Sequence, residues 1–84
     1  TRKEAENYVK YIQSITAMTP DRAKQILAAS RYGELHMSPS EGDYIHKIWK
    51  EHPNGDMSIH TTLVMIAYGY DRALKEIEWQ TNGE

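Results

Sequence analysis

The segment SIHTTLVMIAYGYDRALKEIEWQ, Ser58 to Gln80, is the longest periodic stretch of the chain, and its reading decides the fold. Ile59, Leu63, Ile66, Tyr70, Ala73 and Ile77 step by four and three. Ala67 and Leu74 widen the same stripe, while Asp71, Arg72, Lys75, Glu76 and Glu78 fall off it. This is the spacing of a helix with one apolar side. In a chain of 84 residues, a helix of this length is the one on which the others pack.

A competing reading would change the fold class. Asn54-Gly55 is a strong two-residue hairpin signal, and the run from Leu63 to Tyr68 is apolar and partly β-branched, as a buried strand would be. Two observations favour the helix. Upstream, Tyr44, Ile45, Ile48 and Trp49 have helical spacing without alternation, and the stripe after Gly69 continues in phase with the one before it. Gly69 costs roughly 1 kcal/mol inside a helix. Either another helix crosses it closely or the helix bends or breaks there.

Toward the N-terminus, Ala5, Tyr8, Val9, Ile12 and Ile15 share one face of a first helix, with Glu4, Glu6, Lys10 and Gln13 outward. A second helix starts at Thr19-Pro20-Asp21: the hydroxyl caps free amides, proline fits the first turn, and the aspartate meets the positive end of the dipole. It turns Ala23, Ile26, Leu27 and Ser30 inward and stops at Gly33, a residue suited to a left-handed terminator. Leu35 and Met37 tuck into the core from the connector. Ser38-Pro39-Ser40-Glu41 is a capping box that opens a third helix, and His52-Pro53-Asn54-Gly55 closes it. Asp56 or Ser58 caps the last one. Met18-Thr19-Pro20 and Met37-Ser38-Pro39 share punctuation, but the bodies that follow differ, so the chain is not an internal duplication.

The expected architecture is all-α: a compact four-helix domain with helices near 2–15, 20–32, 39–52 and a long C-terminal helix 57–80. It forms a single domain, 1–84, whose last residues, Thr81 to Glu84, are a frayed tail.

Composition narrows the function classes. A chain this short buries about 60–65% of its unfolded surface, which allows one modest core and little room for a catalytic cavity. There is no phosphate-cradling glycine loop, nucleophile elbow or cysteine. His46 and His52 stand six apart, which does not bring two ligands onto one helix face, and His36 and His60 lie on separate elements. The pair Asp43 and His46 reads as solvated surface. No enzyme activity, metal or cofactor is expected. Without cysteine nothing argues for an oxidising compartment. No apolar run approaches a membrane span, and the charged start TRKEAENYVKY is unlike a signal peptide. A soluble, cytoplasmic setting is therefore the expectation.

Ten Lys and Arg are interleaved with twelve Asp and Glu, so no basic surface stands out for nucleic acid. The third helix begins with Glu41 and Asp43, which are unsuited to approach phosphates. If DNA is bound, the second helix is the better candidate, through Arg22, Lys24, Gln25 and Arg31. Protein binding is the stronger reading. The chain holds six Tyr, two Trp and no Phe, and Tyr and Trp are enriched in interfaces. From Leu63 to Tyr68 the last helix is apolar nearly all round, so Val64, Met65, Tyr68 and Trp79 project beyond what three short helices cover. These four are the candidate contact surface for a protein partner or for self-association.

The run LAASRYGELHMSPSEGDYIHKIWKEHPNG, followed by LVMIAYG, resembles small uncharacterised helical proteins encoded by tailed bacteriophages and prophages. The matching positions are Arg31, Tyr32, Gly33, Met37, Ser38, Pro39, Glu41, Tyr44 and Trp49, within Leu27–Gly69. The chain departs from that pattern at His52 to Ser58, where a shorter Pro-Gly turn is expected. The resemblance implies no activity. It implies a setting, the host cytoplasm, in which such proteins bind a host or phage macromolecule and alter it.

Overall fold

The computed structural model describes residues 1–53 and 55–83, with side chains through Trp79. Four helices follow one another: α1 (Arg2–Ile15), α2 (Pro20–Arg31), α3 (Pro39–Glu51) and α4 (Ile59–Gly83). No strand occurs among the described residues. The segment that carried the hairpin signal is helix from Ile59 onward. Asn54, half of that signal, lies outside the described residues. None of the described helices is long and apolar enough to cross a membrane.

Each boundary has a local cause. Thr1 and Glu4 form a capping box at α1, and Ser38 and Glu41 form a second one at α3. The Thr19 hydroxyl accepts from the Arg22 amide at 3.1 Å. Ser58 rather than Asp56 caps α4, accepting from the Thr61 amide at 3.1 Å. At the end of α2, Gly33 has φ +68. Its amide donates to the Ser30 carbonyl, and the Glu34 amide donates to that of Ala29. These paired bonds satisfy carbonyls that the helix end would otherwise strand. At the other end of the chain α4 outruns the expected limit of Gln80. The tail read from Thr81 is helical through Gly83, and Glu84 lies outside the described residues.

α4 is the hub. α1 and α2 each run along it, α3 touches it over a shorter stretch, and the three short helices make no comparable contact with one another. Twenty-five helical residues rise about 37 Å, which sets the longest dimension of the molecule, 40 Å. Leu63, Ala67, Tyr70 and Ala73 face inward from α4 onto Ala5, Val9 and Ile12 of α1, Ala23 and Ile26 of α2, and Tyr44 and Ile45 of α3. Leu35 and Met37 pack against this core as expected.

One detail corrects the pattern-based reading. Asp71, placed off the stripe, is buried at 8% exposure, with Lys75 Nζ 3.0 Å from its carboxylate. Gln13 is exposed as expected, and its side-chain amide also donates to the hydroxyl of the fully buried Tyr70 at 3.0 Å. At Gly69 α4 runs through without a break. A Cβ there would stand 2.6 Å from the Tyr8 hydroxyl oxygen, so glycine is what lets the tip of this ring settle on the helix.

Candidate functional site

α4 offers a second line of residues on the side away from the core. Thr61, Met65, Tyr68, Arg72, Lys75 and Trp79 are again spaced by four and three. Residues at that spacing lie above one another on a helix. Met65, Tyr68 and Trp79 are 55%, 56% and 72% exposed; such exposure is ordinary for single residues, and it is their place on one line that groups them. Three of the four residues expected at a contact surface therefore share one line. Val64 does not join them. It is half-buried beside Ser30, Gly33 and Leu35, where the end of α2 partly covers it.

A trough of about 300 Å³ opens beside this line, walled by Tyr8, Tyr11 and Ile15 of α1 and Ile48 and Trp49 of α3. Met57 and Met65 stand at its α4 end. Two further depressions share Tyr11, Ile15 and Ile48, then Ile15, Tyr44 and Lys47, so the seam between α1 and α3 is open along its length. The cause is the hub arrangement, in which α1 and α3 reach α4 without closing on each other. Methionines adapt to irregular surfaces and aromatic walls add contact area at low entropy cost.

Two polar atoms in this region are buried without a hydrogen-bond partner among the described residues: the Tyr44 hydroxyl and the Trp49 indole N–H. Burial, with a smaller push from the Glu41 charge, raises the Tyr44 phenol to about 12. His46 meets Trp49 edge-on, with ring centroids 5.5 Å apart.

The residues proposed for nucleic acid separate into two groups. Arg22, expected on the exposed side of α2, is committed to the protein itself. Its Nε and Nη2 donate to the two carboxylate oxygens of Glu41 at 2.7 and 2.6 Å, and Nη2 also donates to the His36 carbonyl at 2.9 Å. Nη1 donates to Gln25 Oε1 at 2.8 Å, which engages Gln25 as well. Glu41 is only 5% exposed and also accepts from the Ser38 amide at 2.9 Å. Hydrogen bonds from Arg22 outweigh the opposing effect of burial and hold its carboxyl below the ordinary range. The clamp thus joins α2, the connector and the first turn of α3, a job for a bidentate guanidinium.

Lys24 and Arg31 remain exposed. They line a cleft between α2 and α4 together with Tyr68, Lys75 and Asp71. One carboxylate against three cations makes this cleft locally positive in a chain of net charge −2.

Among the described residues no three His, Asp or Glu side chains converge as metal ligands. The only phenol pushed as far as about 12 belongs to Tyr44, which favours a permanently neutral hydroxyl over a base. Sequence reasoning missed the trough because three separate elements build it. The available signal was Tyr8 and Tyr11 on α1, which make its apolar stripe wider than one helix contact needs. Comparison with protein-family models, with curated proteins and with solved structures returns no match.

Proposed function

We propose that this chain is a small non-enzymatic protein-binding module that presents the outward line of α4 and the adjoining trough to its partner. The observation that carries this reading is that Met65, Tyr68 and Trp79 stand exposed on one line although the core beneath α4 is filled without them. Rigid aromatic side chains on a continuous helix are pre-ordered for contact, so little conformational entropy is lost on binding. The resemblance to small phage proteins supports a modulator or inhibitor of a host or phage protein, acting in the host cytoplasm.

Affinity capture from a bacterial host lysate tests the reading. Nuclease treatment is expected to leave the captured protein in place. The double substitution Tyr68→Ala and Trp79→Ala is expected to release it, and Lys24→Ala with Arg31→Ala to have little effect. Capture that disappears with nuclease, or that survives the aromatic substitutions unchanged, would sink it.

The second reading, a small DNA-binding regulator using α2, is favoured by one observation, the positive cleft of Lys24, Arg31 and Lys75 beside Tyr68. It has lost Arg22 to the Glu41 clamp, while Gln25 stays exposed and accepts from Arg22. A gel shift at low salt that weakens steeply with added salt and vanishes on Lys24→Ala with Arg31→Ala would support it.

A further inference from the structure

The two polar side-chain atoms that are buried without a hydrogen-bond partner among the described residues, the Tyr44 hydroxyl and the Trp49 indole N–H, both belong to α3. Each gains water when α3 leaves the body of the protein, so part of what the opening costs in apolar burial is returned as hydration. α3 is also the most lightly held of the short helices. It meets α4 over a shorter stretch than α1 or α2 does, and depressions run along its seam with α1. What holds it is the burial of Tyr44 and Ile45 and, at its first turn, the bond of Arg22 to Glu41.

We infer that α3 is a lid on the trough: it opens as a unit while α1, α2 and α4 stay folded, and the Arg22–Glu41 bond is its latch. This motion belongs to the free chain and needs no partner. Opening removes the wall of Ile48 and Trp49 and turns the trough into a groove between α1 and α4, with Ile12 and Ile66 uncovered. Both members of the latch pass into water together, so neither charge is left buried alone.

The rest of the fold is built to outlast the opening. The Thr1 ammonium lies 3.5 Å from Glu76 and the Tyr8 ring reaches Gly69, so α1 runs antiparallel to α4 with its first turns beside the C-terminal half. α3 lies at the other half, where Ile48 and Trp49 share the trough with Thr62 and Met65. Ala5 of α1 and Ala23 and Ile26 of α2 remain packed with Tyr70 and Ala73 of α4, whichever way α3 stands. A helix released from a small contact area moves as one cooperative piece, because its own backbone bonds hold it together.

Native-state amide exchange of the full chain, followed by NMR at urea concentrations below the unfolding transition, tests the lid. The Ile45 and Ile48 amides are expected to exchange about 100-fold faster than those of Ala67 and Tyr70. Their urea dependence should be less than about half as steep, since opening exposes less surface than unfolding does. Arg22→Ala is expected to speed Ile45 and Ile48 about thirtyfold by removing the latch, and Tyr44→Phe to slow them about fivefold by removing an unpartnered hydroxyl. Ala5→Gly should speed Ala67 and Tyr70 about fivefold and leave Ile45 and Ile48 unchanged, because Ala5 lies in the part that stays folded. Equal rates and equal urea slopes in α3 and α4, or an Ala5→Gly effect of the same size on both, would show that α3 leaves only when the whole fold does and overturn the lid. Ile45 and Ile48 rates that do not respond to Arg22→Ala overturn the latch. If that variant does not fold, the wild-type slopes and Ala5→Gly decide the lid and the Tyr44→Phe rate checks its cause.

Discussion

Tyr68 and Tyr70 are the same residue type two positions apart on one helix, and they lead opposite lives. Tyr70 has no exposed surface, and its hydroxyl is met by Gln13. Tyr68 is 56% exposed, beside a cleft of cations. Two positions are about 200° of helical turn, enough to carry one ring into the core and the other out of it. Gly69 between them receives the tip of the Tyr8 ring from α1. The contrast separates the two tasks of α4: its inner side is a hub in which each group has a neighbour, and its outer side carries apolar surface that the fold does not use.

Stability measurements can break or sharpen that contrast. The largest difference is expected between the two tyrosines. Tyr70→Ala should cost about 3–5 kcal/mol by the cavity it leaves, and Tyr68→Ala less than about 0.5 kcal/mol. Urea unfolding reads both, and comparable losses would show that the outer side is part of the core after all.

Next comes the Arg22 clamp. Arg22→Ala strands the nearly buried Glu41 carboxylate, and since the guanidinium is itself partly solvated the expected loss is about 2 kcal/mol. The pH dependence follows from the same bond. The folded carboxyl titrates below its unfolded value, so the wild type holds this contribution in full above the ordinary range near ~4.3 and loses it as pH falls through the folded value. Arg22→Ala, already without it, should show a flatter acid limb.

A smaller effect is expected at Gly69. An added methyl group would move the Tyr8 hydroxyl from a 2.6 Å approach, a shift of a side-chain tip and not of backbone, so Gly69→Ala should forfeit most of the roughly 1 kcal/mol that alanine's helix propensity offers. In a Tyr8→Ala background the same change should be stabilising by about that amount. Additivity in that double-mutant cycle would mean that the ring is not held over Gly69.

Tyr44→Phe should gain about 1 kcal/mol at neutral pH by removing a buried hydroxyl that has no partner. The phenol is raised to about 12 against an unfolded value near ~10. Wild-type stability should therefore be lost as pH rises between those values, and less steeply in the variant. A loss at neutral pH would mean that the hydroxyl does have a partner.

Much of the fold was legible along the chain. The caps at Thr19, Ser38 and Ser58, the stop at Gly33 and the stripe from Ile59 to Ile77 depend on residues three or four apart, and that is the range over which a helix makes its own bonds. The exposed line of Met65, Tyr68 and Trp79 was legible for the same reason, since projection from a helix follows from position. Val64 is half-buried because the end of α2, not the phase of α4, determines its cover.

Periodicity and capping chemistry were thus sufficient for four helices and for which side of α4 faces inward, because both are written in neighbouring residues. Only the tertiary structure could decide that Arg22 holds Glu41 instead of facing solvent, that Asp71 is buried, that Tyr8 sits over Gly69 and that α1 and α3 leave a trough between them. Each depends on what a second element brings opposite, and in a sequence those partners stand too far apart for any local rule to pair them.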